Sequence, residues 1–327
     1  MESLFVIDSW QAMKPSKDTS LDLIRTGVER KHRIDVASQA ELFSESGTLF
    51  VDAREVVGEQ WRSGPSEAFY SLVEPSPAVK TKKVSDYDAV FIRKDPPFDA
   101  SYLALCLLLA PLEGKETVFF NSPSGLLRVS EKLSALHFPH LAPRTLVTHD
   151  PDRVLKLMNE IGQVVIKPPF DGSGRGVFVA HPSIEGSIDQ LRDLLQQQDG
   201  VPVIAQEFLP EIKQGDVRVM LLDGKIVGAV GRVPKEGDFK ANIAMGGTET
   251  SAELTPTQMQ HIVEVGAFLV EKGIIFAGLD FIGDRLIEIN VTSPTLVQEF
   301  RRVSGVDVSP IIWDAIERRL ASRRAAA

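Results

Sequence analysis

The stretch Gly278-Leu279-Asp280-Phe281-Ile282-Gly283-Asp284-Arg285-Leu286-Ile287-Glu288-Ile289-Asn290 is the part of this chain from which the rest of the fold can be worked out. Two β-like runs flank Gly283-Asp284, a two-residue turn signal, which predicts an antiparallel hairpin with strands over 274–282 and 285–289. Residues two apart on a strand share a face, so Glu288 and Asn290 project together. Folding about the turn brings Asp280 roughly opposite Glu288. Three oxygen ligands on one sheet face, amid apolar neighbours, would be costly to bury without a cation. Hard oxygen donors favour Mg²⁺, held jointly with phosphates.

Upstream, Thr255-Pro256-Thr257-Gln258 reads as an N-cap, an N1 proline and a capping box. Its helix carries Ile262, Val265, Gly266 and Leu269 on one face and stops at Gly273. A second hairpin is expected over 217–222 and 225–230, around Asp223-Gly224. Downstream, a closing helix starts at Ser309-Pro310, burying Ile312, Ala315 and Ile316 with Glu317 and Arg318 outward. In the middle third, strands over 164–167 and 177–180 enclose Pro168-Pro169-Phe170-Asp171-Gly172-Ser173-Gly174-Arg175-Gly176. A helix over 184–198 and a strand over 203–206 follow. Lys167 at a strand end, then a glycine-rich turn, suits phosphate: backbone N–H groups converge on the anion and glycine allows close approach. No Gly-Lys-Ser/Thr follows the glycines, and no helix does, so this is neither a Walker loop nor a dinucleotide fingerprint.

The first third alternates strands over 4–7, 34–37, 89–92 and 117–120 with helices over 21–30 and 102–109, the pattern of a parallel sheet covered on both faces. Residues 47–84 are mixed and turn-rich and receive no assignment. A boundary is expected at Asn121-Ser122-Pro123-Ser124-Gly125, followed by a helix opened by Ser130 with Glu131 in its first turn.

The 327 residues allow two or three packed units. A net charge of −9 argues against a nucleic-acid partner. The single cysteine, Cys106, lies in an apolar run and reads as core, and no disulfide is available. The N-terminus lacks a secretory pattern and no apolar run reaches membrane-helix length, so the expectation is a soluble, cytoplasmic protein without a membrane partner. The scattered histidines, His137 and His140 included, make no metal set. Lys132, Lys167, Arg218, Arg232 and Lys240 are the cations a nucleotide-phosphate site in an acidic chain requires.

The order Lys132, Lys167 with its glycine loop, Gln206-Glu207-Phe208-Leu209-Pro210, Asp216-Val217-Arg218 and Asp280…Glu288-Ile289-Asn290 resembles the ATP-grasp superfamily. Arg93-Lys94-Asp95-Pro96-Pro97-Phe98-Asp99 and the run from Gly278 through Asn290 to Val291-Thr292-Ser293-Pro294-Thr295 resemble prokaryotic glutathione synthetases, as do 14–20 and 245–247. The resemblance implies an α/β (α+β) chain: an N-terminal parallel-sheet domain over 1–123 ahead of a two-part ATP-grasp fold, with a lid over 124–202 and a catalytic part over 203–327. It implies ATP and Mg²⁺ (or Mn²⁺), with γ-glutamylcysteine joined to glycine through an acyl phosphate, and a homo-oligomer, a tetramer.

In residues, the resemblance implies Lys132, Lys167, Gly172, Ser173, Gly174 and Gly176 at the phosphates. Glu207, Phe208 and Leu209 would meet adenine and Asp216 the ribose. Asp280, Glu288 and Asn290 would hold the metal. Arg218, with Arg232 and Lys240, would serve the transferring group, and 232–247 would form a closing loop. Lys17, Asp18, Arg93, Asp95, Asn242, Thr292 and Ser293 would take substrate. Three departures stand out. The glycine loop is one residue longer than usual, Lys240 stands where arginine is common, and Leu296-Val297-Gln298-Glu299 replaces a Gly-Ile-Arg-Glu pattern. Rival readings are a sister ligase using another peptide or amino acid (glutamate or D-alanine type) and a nucleotide-binding regulator without catalysis.

Overall fold

The computed structural model describes residues 1–58, 61–172, 174–198, 200–235, 241 and 246–326. The first sheet is built from β1 (Glu2–Val6), β2 (Arg33–Ala37), β3 (Leu42–Glu45), β4 (Thr48–Val57), β5 (Glu74–Lys83), β6 (Ala89–Ile92) and β7 (Val118–Phe120), with α1 (Thr19–Glu29), α2 (Ser66–Leu72), α3 (Ala100–Leu109) and α4 (Pro123–Arg128) around it. Its order is β3-β4-β2-β1-β6-β7, with β5 on β4. The pairs β1–β2, β1–β6 and β6–β7 are parallel. The alternation of a doubly covered sheet is explicit. Leu4, Val6, Val90, Ile92 and Phe119 pack with Tyr102, Leu105 and Leu109 of α3. Phe5, Phe91 and Phe120 pack with Leu21, Leu23 and Ile24 of α1 on the other face. The connection after β1 runs to one face and that after β6 to the other, so a crevice opens between their carboxyl ends, where α/β sheets bind ligands. There the Arg93 N–H donates to the Val6 carbonyl (2.8 Å) and the Asp95 N–H to Asp8 Oδ2 (2.8 Å).

The unassigned segment 47–84 contains β4 and β5, paired antiparallel from Phe50↔Lys83 to Val57↔Glu74. β5 reads Glu-Pro-Ser-Pro-Ala-Val-Lys-Thr-Lys-Lys and is half-exposed or exposed throughout, so it lacks the buried alternation that marks a strand.

The second sheet holds β8 (Thr145–Thr148), β9 (Val164–Lys167), β10 (Phe178–Ala180) and β11 (Val203–Glu207) in the order β10-β9-β11-β8, backed by α5 (Pro151–Ile161) and α6 (Ser187–Gln197). β11 is an internal strand of this sheet, paired with β9 and β8. This sheet therefore extends through Glu207, past residue 202. The expected helix at Ser130 is also corrected. That region is a 3-10 turn over Leu133–His137, and Glu131 is drawn inward to other partners described below.

The third sheet has the order β14-β13-β12-β15-β16, from β12 (Asp216–Leu222), β13 (Lys225–Val233), β14 (Thr248–Ser251), β15 (Phe276–Ile282) and β16 (Arg285–Asn290), all antiparallel. α7 (Pro256–Glu271) begins with the expected Thr255/Gln258 capping box. α8 (Val297–Ser304) was not anticipated; α9 (Ser309–Ala326) was. α9 returns to the first domain, where Trp313 Nε1 donates to the Leu23 carbonyl (2.8 Å). Asn121 ties the first and third sheets together: its Nδ2 donates to the Phe276 and Val291 carbonyls, and its Oδ1 accepts from the N–H groups of Ile275 and Phe276. Cys106 is fully buried, as expected. No helix among the described residues is long and apolar enough to cross a membrane.

Candidate active site

A cavity of about 520 Å³ lies between the second and third sheets and extends to the ends of β1 and β6. Strand alternation supplies its walls: Val165 and Lys167 from β9, Asp216 and Arg218 from β12, Asp280 and Ile282 from β15, Glu288 and Asn290 from β16. Asp280 faces Arg218 on one neighbouring strand and Glu288 on the other; the Gly283-Asp284 turn alone would set it opposite Ile287, and a register shift between Asp280 and Phe281 moves it by one residue to Glu288. Gly278 makes room for this, since a Cβ there would lie 2.7 Å from Arg218 Cδ.

The charges interlock. Arg218 holds Asp280 through Nε and Nη2, the latter at 2.6 Å. Arg232 forks onto Asp216 (2.7 and 2.5 Å) and reaches Asp280 Oδ2 at 3.1 Å. Burial alone would push the Asp280 carboxyl up, but the two guanidiniums outweigh it and bring it down to about 2. Burial raises Asp216 above its ordinary value despite Arg232. Lys132 Nζ donates to the Asp171 carbonyl and lies 3.6 Å from Glu288 Oε1. Lys167 Nζ donates to Gln206 Oε1 at 2.6 Å, and burial pulls it down to about 8 against the attraction of Glu288.

The glycine loop seats on the first domain. Phe98 N–H donates to the Phe170 carbonyl (2.9 Å) and Arg175 Nη2 to the Pro96 carbonyl (2.8 Å). A Cβ on Gly172 would meet Pro96 at 2.8 Å, and Gly176 has φ +65°. Glycine is required at both positions.

Of the residues singled out from sequence, Lys17, Asp18, Asp95, Lys132, Lys167, Gly172, Gly174, Glu207, Phe208, Leu209, Asp216, Arg218, Arg232, Asp280, Glu288, Asn290, Thr292 and Ser293 all line this one cavity. Among the described residues singled out, Arg93 and Gly176 do not line it. Arg93 stands behind the wall, its Nε on Ser20 Oγ (3.0 Å) and Nη2 on the Pro294 carbonyl (2.9 Å), so it joins the start of α1 to the loop after β16. Asp216, expected at a ribose, is engaged by Arg232. Gly176 shapes the loop behind Gly172 and Gly174, while Ser173, Lys240 and Asn242 lie outside the described residues. Gln298, where arginine is usual, does not line the cavity. Its Nε2 donates to the Pro15 (3.0 Å) and Asp18 (2.7 Å) carbonyls.

Glu131 was missed as a functional residue. Its Oε1 accepts from Val291 N–H (3.0 Å), Thr292 N–H (3.0 Å) and Thr292 Oγ1 (2.7 Å), fixing the loop that leaves the Asn290 strand. Sequence offered it only as a first-turn helix residue beside Lys132. A larger depression of about 840 Å³ at the ends of β1 and β2 contains none of the residues singled out for chemistry.

Asp280 and Glu288 with Asn290 supply two carboxylates and an amide on adjacent strands, with Asn290 Nδ2 3.3 Å from Asp280 Oδ2. No group of three or more His, Cys, Asp or Glu side chains at metal-holding spacing occurs among the described residues. The donor chemistry therefore fits a hard divalent cation that takes its remaining oxygens from phosphates, not a cation caged by protein alone.

Two antiparallel sheets closing on a cleft of phosphate-seeking cations and paired carboxylates define an ATP-grasp architecture. Solved structures agree on the fold. The ATP-grasp ligase PsnB complexed with minimal precursor aligns with TM-score 0.60 at 21% identity, over 97% of this chain and 99% of that one. D-cycloserine synthetase DcsG aligns with TM-score 0.65 at 14% identity, over 97% and 99%. The chain belongs to the prokaryotic glutathione synthetase family: that family's N-terminal domain matches residues 1–127 and its ATP-grasp domain residues 131–305. Similar relatives include the glutathione synthetase of Agrobacterium fabrum, 38% identical over 250 residues (76% of each chain). That of Prochlorococcus marinus is 35% identical over 322 residues, covering 98% of this chain and 99% of the relative.

Proposed function

We propose that this chain joins γ-glutamylcysteine to glycine, consuming ATP and releasing glutathione, ADP and phosphate, as its family membership implies. The observation that carries the reading is the convergence of Lys132, Lys167, Arg218, Arg232, Asp280 and Glu288 on one cavity that also reaches Lys17, Asp18 and Asp95. A free carboxylate is a poor acyl donor, because its leaving group would be oxide; transfer of the ATP γ-phosphoryl group to the cysteinyl carboxylate provides a good one. Lys132 and Lys167 neutralise the nucleotide phosphates. Arg218 faces the transferred group and then the oxyanion of the tetrahedral adduct formed when the glycine nitrogen attacks. Collapse of the adduct breaks the carbon–oxygen bond to phosphate. The Glu207–Leu209 hinge borders the adenine end. Asp280, Glu288 and Asn290 would hold Mg²⁺, or Mn²⁺ in its place, which offsets charge on the phosphates. No side-chain nucleophile is required. Of the expected closing segment 232–247, residues 236–240 and 242–245 lie outside the described residues.

The division we adopt is a substrate domain over 1–123, a lid extending to the hinge, and a catalytic part beyond it, working as a cytoplasmic homotetramer on small molecules without nucleic acid. The test is phosphate release from ATP with γ-glutamylcysteine and glycine, each omitted in turn, with mass spectrometry of the product. Release that needs both, with glutathione formed, supports the reading. Release only with another acid and amine moves the chain to a sister ligase.

A further inference from the structure

α8 follows the loop that leaves the Asn290 strand, and it grips the substrate-side loop 15–18 at two points. Gln298 donates to the Pro15 and Asp18 carbonyls. Arg302, one turn later, donates Nη1 to the Ser16 carbonyl (2.7 Å) and Nε to Glu249 Oε1 (2.8 Å). Glu299 lies on the same helix between these grips. It lines the cavity and is only 2% exposed, yet its Oε2 has no hydrogen-bond partner among the described residues. Arg302 Nη2 is 3.6 Å from Oε1, and that guanidinium is already shared with Glu249 and Ser16. Burial pushes the Glu299 carboxyl up, with Arg302 and Lys17 opposing and Glu249 reinforcing. A buried carboxylate oxygen in a ligand cavity without its own donor is costly unless the ligand brings one.

Several other acidic groups of the cavity have partners. Asp216 and Asp280 are held by arginines, Glu131 by the 291–292 backbone, and Glu207 Oε2 by Arg144 N–H. Asp18 Oδ1 accepts from the Leu21 N–H (2.9 Å), and Asp18 and Asp95 line the cavity at its first-domain end. We propose that Glu299 is the docking group for the ammonium of the incoming amine, which is glycine in the reaction above, on which this assignment rests. A primary ammonium brings a positive charge and three donors to Oε2, which has no donor among the described residues. Gln298 and Arg302 keep the opposite wall, loop 15–18, at a fixed distance.

The test uses the full chain. Glu299→Gln keeps the shape and removes the charge. The Michaelis constant for glycine is expected to rise about tenfold to a hundredfold, the worth of a charged hydrogen bond, with those for ATP and γ-glutamylcysteine little changed. Glu299→Asp should fall between. Scrambling of labelled phosphate oxygens in ATP, driven by γ-glutamylcysteine with glycine absent, should persist in Glu299→Gln, showing that the donor half and the fold are intact. An unchanged glycine constant overturns the assignment, and so does a rise confined to γ-glutamylcysteine or loss of the scrambling. Wild-type protein that forms no glutathione sinks the reaction and this assignment together. A competent wild type with an indifferent variant sinks only the assignment.

Discussion

Lys167 offers a prediction whose size follows from its surroundings. Burial beside the glycine loop pulls its ammonium down to about 8, even with Glu288 nearby. A free enzyme at pH 7 therefore carries the charge almost fully, and at pH 9.5 mostly lacks it; the ratio of charged fractions is about thirtyfold. On its proposed role at the nucleotide phosphates, kcat/KM for ATP should fall by about that factor between pH 7 and 9.5. kcat, measured with bound phosphates that hold the proton on, should fall less. The sign for stability is opposite. The folded value lies below the unfolded one of about 10.4, so the unfolded chain binds more protons across this interval and the folded state gains stability as pH rises from 8 toward 10.4. Activity lost there is thus not alkaline unfolding by this group, and thermal melts at each pH separate the two. The assay is initial rate against ATP with donor and glycine saturating, for wild type and Lys167→Arg. Arginine stays charged throughout, so its profile should lose the bend, while any bend from the donor thiol would remain in both. A wild-type profile flat to pH 9.5, or an identical bend in the arginine variant, refutes the reasoning.

Glu288→Gln should cut turnover at least about tenfold and raise the Mg²⁺ concentration needed for half-activity, since carboxylates are the donors this cation prefers; an unchanged Mg²⁺ titration removes Glu288 from the set. Asp280→Asn leaves buried Arg232 with Asp216 and takes from buried Arg218 the carboxylate that holds it, which should lower stability by about 3–5 kcal/mol. Pyrophosphate should then raise the melting temperature of that variant more than that of the wild type, and equal increments would contradict the pairing logic. Asn121→Ala strands four buried backbone groups where the first and third sheets meet, with an expected cost of about 3–5 kcal/mol in denaturant unfolding.

What could be read in the sequence was whatever a short-range rule encodes. The Gly283-Asp284 turn marked the hairpin that brings Asp280 near Glu288, although a bulge beside Asp280 completes the pairing, and Thr255-Pro256-Thr257-Gln258 marked the start of α7. Strand periodicity put Glu288 with Asn290. The failures share a cause, which is that their partners lie far along the chain. Glu131 looked like a first-turn residue of a helix because its real partners, Val291 and Thr292, are 160 and 161 residues away. Arg93 looked like a ligand-facing cation, although Pro294, 201 residues on, takes one of its donors. β5 was invisible because an edge strand with exposed lysines and prolines carries no burial pattern. Gln298 read as a lost arginine, whereas the structure uses its amide as a clip for loop 15–18.

The same long-range pairing explains how so charged a cavity survives in the folded chain before nucleotide arrives. Arg218 and Arg232 are 6% and 3% exposed, and two guanidiniums that deep would be prohibitive alone. They are tolerated because Asp280 and Asp216, which sit directly opposite them in the strand register, neutralise them. On the proposed roles, the phosphates can replace the carboxylates as partners of the arginines, and the divalent cation can replace the arginines as partner of Asp280. Each side of the pairing then trades one opposite charge for another, and no buried charge is stranded at any stage. Catalytic cations and metal ligands are therefore a single electrostatic unit, in which the residues that act on substrate are also the ones that make the apo fold affordable to each other.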